Sequence, residues 1–344
     1  MRGVVFVGER ELEIRDFPDP VPGPGEVIVA IKASGMCGSD LHSYREPKSV
    51  RTPDKYCIAG HEPCGVVAAR GPGVREEQAP IGQRVMVYHY RYCGQCRHCR
   101  SGWSQICLTN PITYGVNGDG AHAEFMRVTP EMLVPLPDEL SFEEGAAVSC
   151  GTGTAFQGLR RLDVSGRDTL VVFGQGPVGL SGTVLGKAMG ARVIAVDITP
   201  ERLELAERFG ADVVLNPTQV DVAATIRELT YGEGADAVLD TSGSGQGRND
   251  AVGCARLWGR VCFVGIGHGP TAFNVERDII HKQLDLLGSW TFSSVIQADC
   301  ARFVVDHKLP LGSIFTHRFT LDEAEAAYRL FDTQTTGKGV FLFD

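Results

Sequence analysis

The chain has 344 residues, long enough for about two domains at roughly 150 residues each, and its 43% hydrophobic content can fill a large buried core. Thirty-three basic against 42 acidic residues give a net charge of −9, which argues against a binder of nucleic-acid backbones. No apolar run approaches the ~18 residues of a membrane span, and the opening MRGVVFVGERELEIRDF turns charged too soon for a secretion signal, so a cytoplasmic protein is expected.

Up to about residue 150 the chain reads as short strands and long turns. EVIVAIKASG, CGVVAARG and QRVMVYHY are β-branched and apolar with Gly or Pro at their borders. PDPVPGPG, from Pro18 to Gly25, is a loop between strand-like runs. The texture changes near residue 151. DTLVVFG is a continuous apolar run, as in a parallel strand covered on both faces. PVGLSGTVLGKAMG (helix), ARVIAVD (strand), ERLELAERFG (helix), DVVLN (strand), DVAATIRELT (helix), ADAVLDTS (strand) and GRVCFVGI (strand) follow, with LDLLGSW as the last strand. This alternation predicts an α/β fold with a doubly wound parallel sheet after an irregular β domain. From about residue 291 two helical runs, SVIQADCARFVVDH and LDEAEAAYRLF, precede a short strand, GVFLFD; the pattern alone does not say which domain this tail joins.

VVFGQGPVG places Gly174, Gly176 and Gly179 directly after a strand and at the start of a helix. Glycines there permit a tight turn and close approach of backbone to a pyrophosphate, which meets the helix N-terminus. Pro177 and Val178 open that helix and belong to the same candidate set. Asp197 ends the next strand, 23 positions after Gly174; an acid there hydrogen-bonds both hydroxyls of an adenosine ribose and repels a 2′-phosphate, which favours NAD over NADP. Arg202, one helical turn further on, reaches toward the same ribose or is a solvated surface arginine.

Eleven cysteines in a reducing compartment read as metal ligands or buried thiols. Cys93, Cys96, Cys99 and Cys107 lie in one loop at C-x2-C-x2-C-x7-C spacing. Four thiolates suit a closed tetrahedral zinc site, which organises a loop and leaves no position for substrate. An iron–sulfur cluster is the other thiolate chemistry, but the first three cysteines lack its usual partner spacing. Elsewhere GMCGSDLHSY carries Cys37, Ser39, Asp40 and His42, AGHEPCG carries His61 and Glu62, and AAVSCGTGTAF carries Cys150. Cys37, His61 and Cys150 would make a three-ligand site with an open fourth position. Taken singly, Cys150 is most often a small buried hydrophobe and His61 a core histidine.

The motifs GMCGSDLH, GHEPCG, the four-cysteine loop, CGTGTAF and GQGPVG, in that order, resemble the zinc-containing medium-chain alcohol dehydrogenases over essentially the whole chain. The resemblance implies a GroES-like catalytic domain over residues 1–150, completed by 291–344, and a Rossmann NAD-binding domain over 151–290. It implies a catalytic zinc on Cys37, His61 and Cys150, with Glu62 as exchangeable ligand or neighbour. Asp40 would orient the ligand histidine, Ser39 and His42 would relay the substrate proton, and Thr154 and Gly265 would join the cofactor contacts. Two zincs per chain and NAD are the implied cofactors, and a homodimer or homotetramer the implied assembly, with no nucleic-acid or membrane partner. The short cysteine loop and GHE look more like the polyol, threonine and butanediol branch. SCGTGTAF departs from it by lacking the glutamate that polyol and threonine enzymes often carry shortly after the position of Cys150. The expected activity is hydride transfer between a secondary alcohol or polyol and NAD. Alternatives are an L-threonine 3-dehydrogenase-like enzyme and a non-catalytic nucleotide-binding relative with only the structural zinc. Tyr44, Tyr114 and Trp290 are candidate substrate-pocket walls, Trp290 equally a core residue.

Overall fold

The computed structural model of the chain describes residues 1–109, 111–267 and 269–344. The polypeptide separates into two compact units. One comprises residues 1–153, 292–334 and 338–344, the other residues 154–291 and 335–337.

The first unit is built on a mostly antiparallel sheet. The strand Val27–Gly35 pairs with Pro63–Arg70, with Phe125–Val128 and, through residues 33–35, with the C-terminal strand Lys338–Leu342. The tail therefore belongs to this unit. The strand Phe315–Phe319 extends the sheet beyond Lys338–Leu342, and Arg84–Val87 and Leu133–Pro135 extend the other side. Sequence reading missed Phe315–Phe319. Under the sheet a core of Val4, Phe6, Met36, Leu41, Tyr44, Tyr328, Phe331 and Phe341 closes over the helix Ala324–Asp332. Tyr44 is thus a core residue, not a pocket wall. It packs 5.4 Å, centroid to centroid, from Tyr328. Leu41 and Tyr44, three residues apart on the helix Asp40–Arg45, share its buried face.

The second unit is a six-stranded parallel sheet. In chain order its strands are Thr169–Phe173, Arg192–Val196, Val213–Leu215, Ala235–Asp240, Ala255–Phe263 and Asp285–Gly288, and in space they run 3-2-1-4-5-6. The order reverses between the first and fourth strands, where ligands meet such sheets, outside the carboxyl ends. Val171, Ile194, Val238 and Val261 are buried, which explains the unbroken apolar runs in the sequence. One helix was not anticipated. Gly245–Cys254 carries three glycines, yet it forms because Ser244 accepts from the Gly247 N–H and Ala251 and Val252 pack into the core. The following strand accordingly begins at Ala255 rather than near Gly259. No helix among the described residues is long and apolar enough to cross a membrane.

Candidate functional site

Strand register brings the first group of chemical residues together. Ser34 pairs with Pro63 across two antiparallel strands. Cys37 lies just beyond the end of one, and His61 and Glu62 just before the start of the other. Gly35 is glycine for a steric reason: a Cβ there would stand 2.0 Å from Glu62 Oε2. Cys150 comes from a third direction. The run AAVSCGTGTAF, to which the sequence pattern assigns no secondary structure, is helical, with a π-turn over Val148–Thr152, an irregularity frequent at functional sites. The neighbouring Ser149 hydroxyl bonds the carbonyls of Pro63 and Gly145, fixing this turn against the strand that follows Glu62.

Ligand atoms of Cys37, His61, Glu62 and Cys150 all lie within 4.8 Å of one another, and all four residues are buried. The sulfurs of Cys37 and Cys150 are 3.9 Å apart. This contact holds Cys37 well below the ordinary thiol range and, with burial, Cys150 well above it. His61 Nδ1 stands 2.8 Å from Asp40 Oδ1. Burial opposes a positive ring, but Asp40 and Cys37 outweigh it and raise His61 well above its usual value. Ser39 Oγ is 3.1 Å from His61 Nε2 and donates to Cys37 Sγ at 3.3 Å. Ser39 and His42 sit three residues apart at the start of the exposed face of Asp40–Arg45.

Three neighbours carry no sequence signal. Lys338 Nζ lies 2.5 Å from Glu62 Oε2. Burial still pushes the Glu62 carboxyl up to about 8 against the pull of Lys338. His89, its ring 5.3 Å from that of His61, donates from Nδ1 to the Ser149 carbonyl. Burial and His61 push it down to about 3, so it is neutral. Tyr328 donates to Asp40 Oδ2.

The four-cysteine loop is a separate cluster. Cys93, Cys96, Cys99 and Cys107 place their sulfurs within 4.8 Å of one another. Backbone N–H groups of Cys96 and Gln95 hold Cys93 down to about 6, and those of Cys99 and Leu108 lower Cys96. This is how a loop prepares thiolates. Burial raises Cys99 to about 12.

In the second unit Gly174 has φ +83°, and a Cβ on Gly179 would stand 1.7 Å from the Gly174 carbonyl. Gly176 precedes the helix Pro177–Ala188, whose first-turn N–H groups, those of Val178 and Gly179, lack intrahelical acceptors. The Asp197 carboxylate is pinned by two backbone donors, Gln175 N–H at 2.5 Å and Thr199 N–H at 2.9 Å. Arg202 bonds the Thr336 carbonyl at 3.4 Å and would stand 3.8 Å from a Cβ on Gly176. Gly265 abuts the turn Thr241–Gly243. Thr154 is buried, and its hydroxyl oxygen finds no partner among the described residues. Trp290 is half exposed, whereas Tyr114 is buried.

A family model for the alcohol dehydrogenase GroES-like domain matches residues 23–138, and one for zinc-binding dehydrogenases matches residues 177–306. The chain is 40% identical, over 100% of its own length and 99% of the other, to an uncharacterized zinc-type alcohol dehydrogenase-like protein of Escherichia coli (strain K12), YphC. It is 31% identical to an L-threonine 3-dehydrogenase of Rhizobium etli (strain CIAT 652), over 96% of this chain and 94% of that one. A solved NAD-dependent alcohol dehydrogenase is similar with a TM-score of 0.88 at 30% identity, over 100% of both chains.

Proposed function

Because the chain belongs to the zinc-containing medium-chain alcohol dehydrogenase family, we propose that it oxidises a small secondary alcohol or polyol at the Cys37–His61–Cys150 centre. The protein is a zinc-dependent, NAD-linked oxidoreductase; the substrate and the residue roles are our reading. The observation that carries it is the gathering of Cys37, His61, Glu62 and Cys150 within 4.8 Å.

The donor chemistry fits zinc. Two thiols and an imidazole give a Cys2His set that leaves a fourth position open, while the four-cysteine loop gives a closed set. Glu62 Oε1 is buried without a hydrogen-bond partner among the described residues, so a carboxylate oxygen stays available beside the ligands. Two clusters, rather than the cysteine loop alone, also speak against a purely structural relative.

Bound in these sites, zinc supplies a Lewis acid that acidifies the substrate hydroxyl, and NAD supplies the hydride acceptor. The chain's own residues do the rest. Asp40 faces His61 Nδ1 and leaves Nε2 for the metal side. Ser39, 3.1 Å from that Nε2, takes the substrate proton as it gives up its own hydroxyl proton toward His42, three residues on, which passes a proton to solvent. Gly174, Gly176, Gly179 and the first turn from Pro177 cradle the pyrophosphate. Asp197 receives the adenosine ribose with Arg202 beside it, and Gly265 and the Thr154 hydroxyl, unpartnered among the described residues, join the cofactor contacts.

A threonine 3-dehydrogenase-like activity is the second reading, favoured by the identity to the Rhizobium etli enzyme over nearly the whole chain. A homodimer or homotetramer belongs to the proposal as well. Asp285–Gly288 is an open end of its sheet, and the neighbouring strand exposes Leu257 and Trp258; sedimentation would test it. Cytoplasmic residence is supported by two clusters that need reduced thiols. The deciding experiment is a panel of secondary alcohols, polyols and L-threonine with NAD, followed at the nicotinamide absorbance. Turnover of none of these by protein holding two zincs would sink the substrate reading.

A further inference from the structure

Behind the His61–Asp40 pair runs a line of buried polar side chains that hydride transfer does not call upon. Asp40 Oδ2 accepts from the backbone N–H of Cys37 at 2.8 Å and from the phenol of Tyr328 at 3.2 Å. The Tyr328 oxygen is 2.7 Å from His122 Nε2, and His122 Nδ1 is 2.8 Å from Ser34 Oγ. Ser34, His122 and Tyr328 are 0% exposed.

The protons along this line can be assigned. An ionised carboxylate only accepts, so Tyr328 donates to Asp40. The phenol oxygen then accepts from His122 Nε2–H, and the unprotonated Nδ1 accepts from the Ser34 hydroxyl. Burial supports each assignment: it pushes His122 down to about 4, keeping the ring neutral, and together with Asp40 it raises Tyr328 well above its usual value. Every link therefore points the same way, from Ser34 toward Asp40. The surrounding side chains, Phe6, Tyr44 and Phe341, are apolar or aromatic. Burying three polar groups there is costly unless each is bonded. The line also touches the metal side directly. Gly60, the residue before His61, has φ +90°, and a Cβ on it would stand 2.4 Å from His122 Nδ1. Glycine at 60 is what lets His122 lie against this backbone.

We propose that Ser34, His122 and Tyr328 are positioning residues for the catalytic metal: Tyr328, held by His122, fixes the Asp40 carboxylate whose Oδ1, 2.8 Å from His61 Nδ1, sets the ring orientation of His61. This rests on the reading that Cys37, His61 and Cys150 hold zinc. Removing a partner that orients a metal-bound histidine typically costs about 10–100-fold in metal affinity. Tyr328 acts one bond further out, so the low end, about tenfold, is expected.

The test uses the two-zinc holoenzyme and Tyr328→Phe, which deletes one oxygen. Zinc affinity is read by competition with a chromogenic chelator, ring geometry by the visible spectrum of the cobalt-substituted catalytic site, and packing by thermal unfolding. The expected result is an about tenfold weaker catalytic zinc and an altered cobalt spectrum, with NAD affinity and the four-cysteine zinc unchanged. In an Asp40→Asn background the same substitution should change zinc affinity less than twofold, because the group it acts through is already lost. A Tyr328→Phe protein with parental zinc affinity and cobalt spectrum, whatever its melting temperature, overturns the proposal. So does an equal loss with and without Asp40. If Tyr328→Phe does not fold, Ser34→Ala at the far end of the line replaces it. A roughly threefold loss of zinc affinity is then expected, and no loss overturns the proposal. A parent protein that binds only one zinc would instead sink the metal-site reading itself.

Discussion

Lys338 Nζ stands 2.5 Å from Glu62 Oε2, and neither side chain reaches solvent. The pair joins the C-terminal strand to the residue beside His61. Lys338 also donates to the Met36 carbonyl at 3.0 Å, next to Cys37. One ammonium thus ties the Met36 carbonyl, next to Cys37, to the Glu62 carboxylate, next to His61.

Lys338→Met should destabilise the first unit. Removing one member of a buried ion pair strands the other, typically at about 3–5 kcal/mol. Glu62, already pushed up to about 8, can escape part of this by taking a proton, so about 2–4 kcal/mol is expected. Adding Glu62→Gln should recover much of the loss, because the pair as a whole is worth less than its rupture costs. Urea unfolding of parent, single and double variants measures this. A double variant no more stable than Lys338→Met would show that the lysine acts without Glu62.

The two clusters should fail differently. In Cys96→Ser the closed four-thiolate set loses a ligand, and zinc content should fall toward one per chain. Because metal binding contributes free energy to folding, the melting temperature should drop, with NAD affinity retained. Cys37→Ser should also lose one zinc but keep the loop, giving a folded, NAD-binding protein with little turnover. Metal analysis with calorimetry separates them. Full thermal stability and two zincs in Cys96→Ser would remove the loop from the metal assignment.

What could be read from the chain and what could not follows from range. Gly174, Gly176, Gly179 and Asp197 are local to one βαβ unit, and the parallel strands carry their apolar runs in sequence. Cys93 to Cys107 lie within one loop. The helix Gly245–Cys254 was hidden because its glycines spoke against it and only the Ser244 cap and core packing speak for it. The helical setting of Cys150 was hidden by the glycines of SCGTG. Lys338 and Tyr328 meet Glu62 and Asp40 across more than 250 residues of chain, 288 in the second case, and no local pattern announces such a pairing. Tyr44 was misjudged for the opposite reason: it stands near GMCGSDLH in sequence, but helix periodicity turns it into the core.

His122 should make the protein sensitive to acid. Its ordinary value of about 6.5 applies to the unfolded chain, and burial pushes it down to about 4 in the fold. Between these values the unfolded chain holds a proton that the folded one refuses. The contribution is therefore fully present above pH 6.5 and is lost as pH falls toward 4. At about 1.4 kcal/mol per pH unit the whole swing is about 3 kcal/mol, of which about 2 falls between pH 7 and 5. His122→Phe removes the titration, so the stability difference between parent and variant should shrink by about 2 kcal/mol over that interval. Denaturant unfolding at both pH values checks this. A constant difference would mean that His122 titrates normally in the fold.

Asp197 should set cofactor choice. Its carboxylate is held by the N–H groups of Gln175 and Thr199, so it cannot easily swing away from an incoming 2′-phosphate. Two unit charges ~4 Å apart repel by about 4 kcal/mol at an effective dielectric of 20. Solvent reduces this, leaving on the order of 2–4 kcal/mol against NADP, or roughly tens- to hundreds-fold in affinity. Asp197→Ser removes the repulsion and leaves Arg202, beside Gly176, as a partner for the added phosphate. It also removes acceptors for the ribose hydroxyls and for two backbone donors. NAD should therefore bind more weakly in the variant while NADP improves, and the ratio of kcat/KM for the two cofactors should move by at least tenfold. Steady-state kinetics with both cofactors, in parent and variant, measures that ratio. A parent that uses NADP as readily as NAD, or an unchanged ratio in the variant, would show that Asp197 does not face the ribose.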